Sequence, residues 1–149
     1  MTQSLPLLIE TKRFTIPAAL IPKLRELQEQ SKQHFTDKIA ESENAVVMTL
    51  GMGVAMYLTL DGRVIIDEDD LWLDKPMPPR EAKDEKEMLA AVNIGAKIRK
   101  TPELLSLLPE RPIEALDCKS CEGKGWKKFT ETFEFICMEC GGVGWVTNN

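Results

Sequence analysis

Between Pro17 and Ser42, apolar residues recur at Leu20, Leu24, Leu27, Phe35 and Ile39. These spacings of three, four and twice four fall on one stripe of a helix. They predict a single helix from Pro17 to about Ser42, with Ser31 interrupting the stripe and Pro22 tolerated in the first turn. Upstream, Leu7, Leu8, Ile9 and Phe14 predict a short strand or an extended lead-in after Pro6. Downstream the pattern becomes a run of β-formers, Ala45 to Leu50, interrupted by Gly51-Met52-Gly53. Val54 to Leu60 and Arg63 to Asp67 flank Asp61-Gly62, a pair that marks a tight hairpin turn. Two or three antiparallel strands should therefore form a meander, closed by the acidic run Asp67 to Asp70. Leu71-Trp72-Leu73 should pack back on the core.

Lys75-Pro76-Met77-Pro78-Pro79 reads as a loop. Arg80 to Arg99 reads as a helix with acids early and bases late, as the helix dipole prefers. Met88, Val92 and Ala96 share its apolar face, and Gly95 marks a close approach to the sheet. Thr101-Pro102-Glu103 fits the start of a short second helix, with Thr101 as cap and Pro109 as stop. The whole is an α+β chain. Residues 1–112 form a small domain, an antiparallel meander packed by two or three helices, with a joint at Arg111-Pro112. Residues 113–149 form a separate C-terminal module.

That module repeats one pattern. Cys118-x-x-Cys121-x-Gly123-x-Gly125-Trp126 returns 19 residues later as Cys137-x-x-Cys140-x-Gly142-x-Gly144-Trp145. Every cysteine of the chain lies in it. In each copy a tight turn can aim both sulfurs at one point, and together they supply four thiolates, the ligand set of a closed tetrahedral zinc site. The glycines let the backbone turn sharply and present N–H groups to the sulfurs, which spreads thiolate charge and orients the ligands. Residues 126–130 and 132–136 predict the arms of a small hairpin, with Phe129, Phe133 and Phe135 covering the site. A module this short buries little area, so a metal is its natural staple. The alternatives are unligated thiols, two disulfides, or iron in the same four-thiolate site. A closed, structural site favours one Zn²⁺.

The knuckles resemble the Cys-x-x-Cys-x-Gly-x-Gly units of the DnaJ-type cysteine-rich zinc finger, over about residues 117–146. The resemblance implies that Cys118 and Cys121 join Cys137 and Cys140 around a single ion. The family's cysteine-rich region has four units and two zincs, whereas this chain has two units. The J-domain His-Pro-Asp signature is absent, since the one histidine, His34, precedes Phe35-Thr36. Recruitment of the family's ATP-driven partner chaperone does not carry over; weak affinity for extended peptide does.

Composition narrows the function. The formal net charge is −5, and residues 113–149 hold four lysines against six acids. Nucleic-acid binders usually carry a basic stripe. Lys119, Lys124, Lys127 and Lys128 do cluster, and they equally screen a negative metal centre. No run of about 18 apolar residues spans a membrane. The N-terminus is a poor secretory signal, so a cytoplasmic location and reduced thiols are expected. His34 has no indicated nucleophile or carboxylate partner, the acidic run lacks the spacing of a calcium loop, and Gly51-Met52-Gly53 lacks a nucleotide fingerprint. Leu104 to Leu108 matches a docking pattern but fits a helix buried at home. Trp126 and Trp145 fit packing around the metal hairpin better than stacking on a ligand. No catalytic set is legible. The expectation is a non-enzymatic zinc-binding protein that docks a protein partner. A DnaJ-like chaperone accessory or thiol-based holdase stands second, and nucleic-acid binding third.

Overall fold

The computed structural model describes residues 3–4, 13–51, 53–70 and 75–148. The expected strand at Leu7–Ile9, the role of Met52 and the return of Leu71-Trp72-Leu73 to the core lie outside the described residues. The chain is α+β. The meander consists of β2 (Ala45–Gly51), β3 (Val54–Thr59) and β4 (Val64–Asp70), preceded in the chain by β1 (Gln3–Ser4). All its pairs are antiparallel. The Leu60–Arg63 turn joins β3 to β4, with the Thr59 hydroxyl contacting Asp61. Two short strands, β5 (Lys75–Pro76) and β6 (Arg80–Glu81), both pair with β4.

Strand alternation divides the meander into two covered faces. Val46, Met48, Leu58, Val64 and Ile66 point into the main core, against Leu24 and Leu27 of α1 (Ile21–Lys32). α3 (Glu85–Ile98) closes the same core with Met88, Leu89 and Val92. Fully burying such a side chain contributes about 1.5–3 kcal/mol. Ala45, Val47, Tyr57 and Ile65 face the other way, where Ile39 and Ala40 of α2 (Lys38–Glu43) pack on them. Gly95 lets α3 approach the sheet as expected, because a Cβ there would collide with the Met48 side chain.

The single helix expected over 17–42 is instead a 3₁₀ turn (Ala18–Leu20), α1 and α2, parted at Gln33–Asp37. Asp37 causes the break: its carboxylate accepts from the Ile39 and Ala40 amides and restarts the helix as an N-cap. Phe35 therefore leaves the stripe and stands 36% exposed. Ser31 stays on it, buried, and its hydroxyl accepts from Arg99. The helix expected from Arg80 begins only at Glu85, because Arg80 and Glu81 are drawn into the sheet and Asp84 caps by accepting from the Glu87 amide. The segment after Thr101 is a 3₁₀ helix (Pro102–Leu107), and the Thr101 hydroxyl bonds back to Arg99 rather than capping. It buries Leu104 and Leu107. The acidic run continues β4 to Asp70 rather than ending it. Lys75 and Pro76, expected in a loop, pair with β4. Among the described residues no helix is long and apolar enough to cross a membrane.

The C-terminal strands are β7 (Leu116–Asp117), β8 (Trp126–Lys128), β9 (Glu134–Ile136) and β10 (Trp145–Asn148). β8 and β9 form the expected hairpin. β10 lies between β7 and β1.

Candidate metal centre

The repeat becomes a pair of interlocked turns. Gly123 N donates to Cys118 O, and at the matched place Gly142 N donates to Cys137 O. Each knuckle then grips the other. Cys137 N donates to Gly125 O at 3.0 Å, and Cys118 N donates to Gly144 O at 2.9 Å. The strand after each knuckle pairs with the residue before its twin, Trp126 with Ile136 and Trp145 with Asp117. The two copies are thus related by a local twofold exchange, which a 19-residue repeat permits because matched residues make matched bonds.

Close contact across this pseudo-axis explains two glycines. Gly125 and Gly144 have φ of 81° and 86°, and a Cβ on either would strike the backbone of Gly142 or Gly123. Their amides are used as well. Gly125 N donates to Cys121 Sγ at 3.1 Å, and Gly144 N donates to Cys140 Sγ at 3.3 Å. Such bonds stabilise thiolate charge and fix the direction of each sulfur.

All four sulfurs converge, within 4.8 Å of one another. Cys118 Sγ lies 3.8 Å from Cys137 Sγ, and Cys121 Sγ lies 3.8 Å from Cys140 Sγ. Four sulfurs held about 2.3 Å from a central zinc sit about 3.8 Å apart along the tetrahedron's edges. A disulfide needs about 2.05 Å, and the cysteines are free. The donor set and its spacing therefore fit one zinc ion. All four cysteines are buried. Burial pushes the Cys118 thiol up and the Cys140 thiol up to about 12. Cys121 is moved down despite burial, by the Gly125 amide and the neighbouring thiols. Four buried sulfurs this close cannot all ionise without a cation among them, so metal entry must displace protons.

The centre is joined to the main core. Val143 touches both the cysteine cluster and the core around α3. Asn93 Nδ2 donates to Gly141 O at 3.0 Å and to Leu89 O at 3.1 Å. Lys97 Nζ sits 3.0 Å from Glu134 and 4.1 Å from the centre of the Trp126 ring. Asn93 and Lys97, both on α3, escaped sequence reading because nothing local marks a helix residue as the seat of module residues 48 and 37 positions away. Arg111 ties the joint by donating to Asp117 and to the Ala115 carbonyl.

Alternation along the hairpin decides what covers the metal. Trp126, Lys128, Glu134 and Ile136 share one face, which the Lys97 contacts turn toward α3. Lys127, Phe129, Phe133 and Phe135 share the other. The expectation that the phenylalanines shield the site fails, since Phe129, Phe133 and Phe135 are 74%, 56% and 43% exposed. Phe129 and Phe133 instead meet edge to face, with ring centres 6.2 Å apart. Trp145 is buried and Trp126 half-buried. His34 is exposed at the end of α1.

Fold and site together define an α+β chain with a four-cysteine metal centre docked on its last long helix. A scan against family models and searches of the curated proteins and of the solved structures find no match.

Proposed function

We propose that this is a non-enzymatic zinc-binding protein whose module 113–149, with Cys118, Cys121, Cys137 and Cys140 as ligands of one Zn²⁺, docks a protein partner beside the domain 1–112. One observation carries the reading: three phenylalanines stand exposed on one face of a hairpin that the metal centre anchors. A soluble surface seldom gathers aromatic side chains without use, and aromatic side chains are enriched where partners bind. The zinc is structural in this reading, because four protein sulfurs leave no open coordination position for a substrate. Four reduced thiols are best kept in a cytoplasmic compartment.

The test is affinity capture with three proteins: wild type, the metal-site variant Cys118→Ser, and the surface variant Phe129→Ser/Phe133→Ser. The surface variant should keep its zinc and lose the partners that wild type holds. A partner set unchanged in both variants overturns the reading.

The resemblance to DnaJ-type knuckles supports a second reading, a chaperone accessory that holds extended polypeptide on the same phenylalanine face. Suppression of aggregation of a reduced model substrate would separate the two. A holdase acts on many unfolded chains, and a docking module acts on few folded ones.

A further inference from the structure

The twofold exchange between the knuckles is complete except at one strand edge. β10 is covered on both sides, by β7 and by β1. Its counterpart β8 is covered by β9 alone, and among the described residues no strand lies on its other side. The register fixes the vacant place. Ser4 pairs with Thr147, and Thr147 stands 19 residues after Lys128, so the matching partner would pair at Lys128.

The ladder shows what that edge offers. Cys137 N donates to Gly125 O and Phe129 N donates to Phe133 O. Antiparallel pairs alternate between bonded and non-bonded, so Trp126 and Lys128 turn their N–H and C=O groups away from β9. A groove of about 390 Å³ adjoins β8, and its lining includes Glu122, Lys124, Trp126, Lys127, Lys128 and Glu134. Lys97 already engages Glu134. Glu122 then stands against three lysines, a positive edge on a chain of net charge −5.

We propose that the free edge of β8 takes an extended segment of a partner protein as an added antiparallel strand, with acidic side chains opposite Lys127 and Lys128 and an apolar one beside Phe129. This rests on the docking function proposed above and names the partner's chemistry. The chain already shows the geometry on itself, where β1 completes β10. Charge complementarity selects acidic residues, and the exposed phenylalanine on the Lys127 face selects an apolar neighbour. A single-stranded nucleic acid would meet the lysines and stack on the rings. Its phosphates would also face the outward carbonyls of Trp126 and Lys128, to which they offer no donor.

The experiment uses the zinc-loaded full chain and a labelled decapeptide centred on Val-Glu-Glu, which antiparallel pairing lays opposite Phe129, Lys128 and Lys127 in turn. A lysine–valine decapeptide and an oligothymidylate of matched length are the comparisons. The acidic peptide should bind, more weakly as salt rises. It should shift the Trp126 and Lys128 amide signals and protect them from exchange. Lys128→Pro removes one outward N–H without removing a β8–β9 bond, so it should weaken binding about tenfold beyond Lys128→Ala. The proposal is overturned if the acidic peptide does not bind, if it binds without moving those amides, if a folded Lys128→Pro binds like Lys128→Ala, or if oligothymidylate binds in its place. The amide readout on wild type decides the matter should Lys128→Pro fail to fold. Partners that still depend on Phe129 and Phe133 would then leave the docking function standing while this edge falls.

Discussion

Asn93 and Gly141 are 48 residues apart in the chain, yet the Asn93 amide donates to the Gly141 carbonyl at 3.0 Å inside the protein. The same nitrogen reaches Leu89 O one turn back on α3, so one buried side chain joins the helix to the second knuckle. That bond makes the metal turn part of the core's surroundings rather than a pendant.

Asn93→Ala should therefore loosen the centre from a distance. It leaves the Gly141 carbonyl without its buried partner, at a cost of about 1–3 kcal/mol. Zinc should pass faster to a colorimetric chelator, while the ligands themselves are untouched. Release at the wild-type rate, in a variant of unchanged stability, would show that the bond does not couple helix to metal.

The twin positions Glu122 and Gly141 give a sharper comparison. Both are left-handed, with φ of 56° and 67°. Glu122 is exposed, whereas a Cβ on Gly141 would lie 2.8 Å from the Lys86 carbonyl oxygen and 2.9 Å from Leu89 Cβ. Glu122→Gly relieves a left-handed non-glycine residue and should stabilise by at most about 1 kcal/mol. Gly141→Ala adds strain and a clash against α3, and should destabilise by more than about 1 kcal/mol. Urea unfolding of the zinc-loaded proteins gives both signs, and equal effects at the two positions would contradict docking on α3.

What could be read from the sequence follows from range. Each knuckle's chemistry lies within eight residues, so cysteine spacing and glycine placement announced the centre and even the N–H···S bonds. The meander was legible because alternation and Asp61-Gly62 are local signals. The break at Asp37 was missed because five stripe residues outweighed one capping carboxylate. The phenylalanines were misplaced for a different reason. Both faces of the hairpin carry aromatic residues, Trp126 on one and Phe129, Phe133 and Phe135 on the other, and only the position of α3 decides which is covered. That position depends on Asn93 and Lys97, which bear no mark of their task.

Removing the metal should separate the two halves of the chain. Structural zinc in small modules contributes on the order of 10–16 kcal/mol of apparent binding energy, far more than β7 to β10 can gain by burying a few side chains. Chelation, or Cys118→Ser, should expose the amides of 116–148 to exchange and release Trp126 from Lys97, visible as a change in tryptophan emission. The core of α1, α3 and the meander has its own buried cluster and should stay protected. Loss of protection in both regions together would mean that the centre also holds the core.

Acid should test the first turn of α3 through Glu87. Its carboxylate accepts from both Arg80 nitrogens at 2.9 and 2.8 Å and from the Lys83 amide at 2.8 Å. The Arg80 guanidinium, aided by the Lys83 amide, holds it below the usual carboxylate range against the opposing effect of burial. A folded pKa below the unfolded value of about 4.3 means that the unfolded chain binds the proton first. The stabilisation is then fully present above that unfolded value and is lost as pH falls through the folded one. Glu87→Gln keeps the shape and removes the charge, and should cost about 2 kcal/mol at neutral pH. The gap from wild type should narrow below about pH 4. Acid also strips zinc from thiolates, but it does so in both proteins, so their difference isolates Glu87. Stability curves that stay parallel from neutral pH into that range would mean that the Arg80 pair contributes no pH-dependent stability.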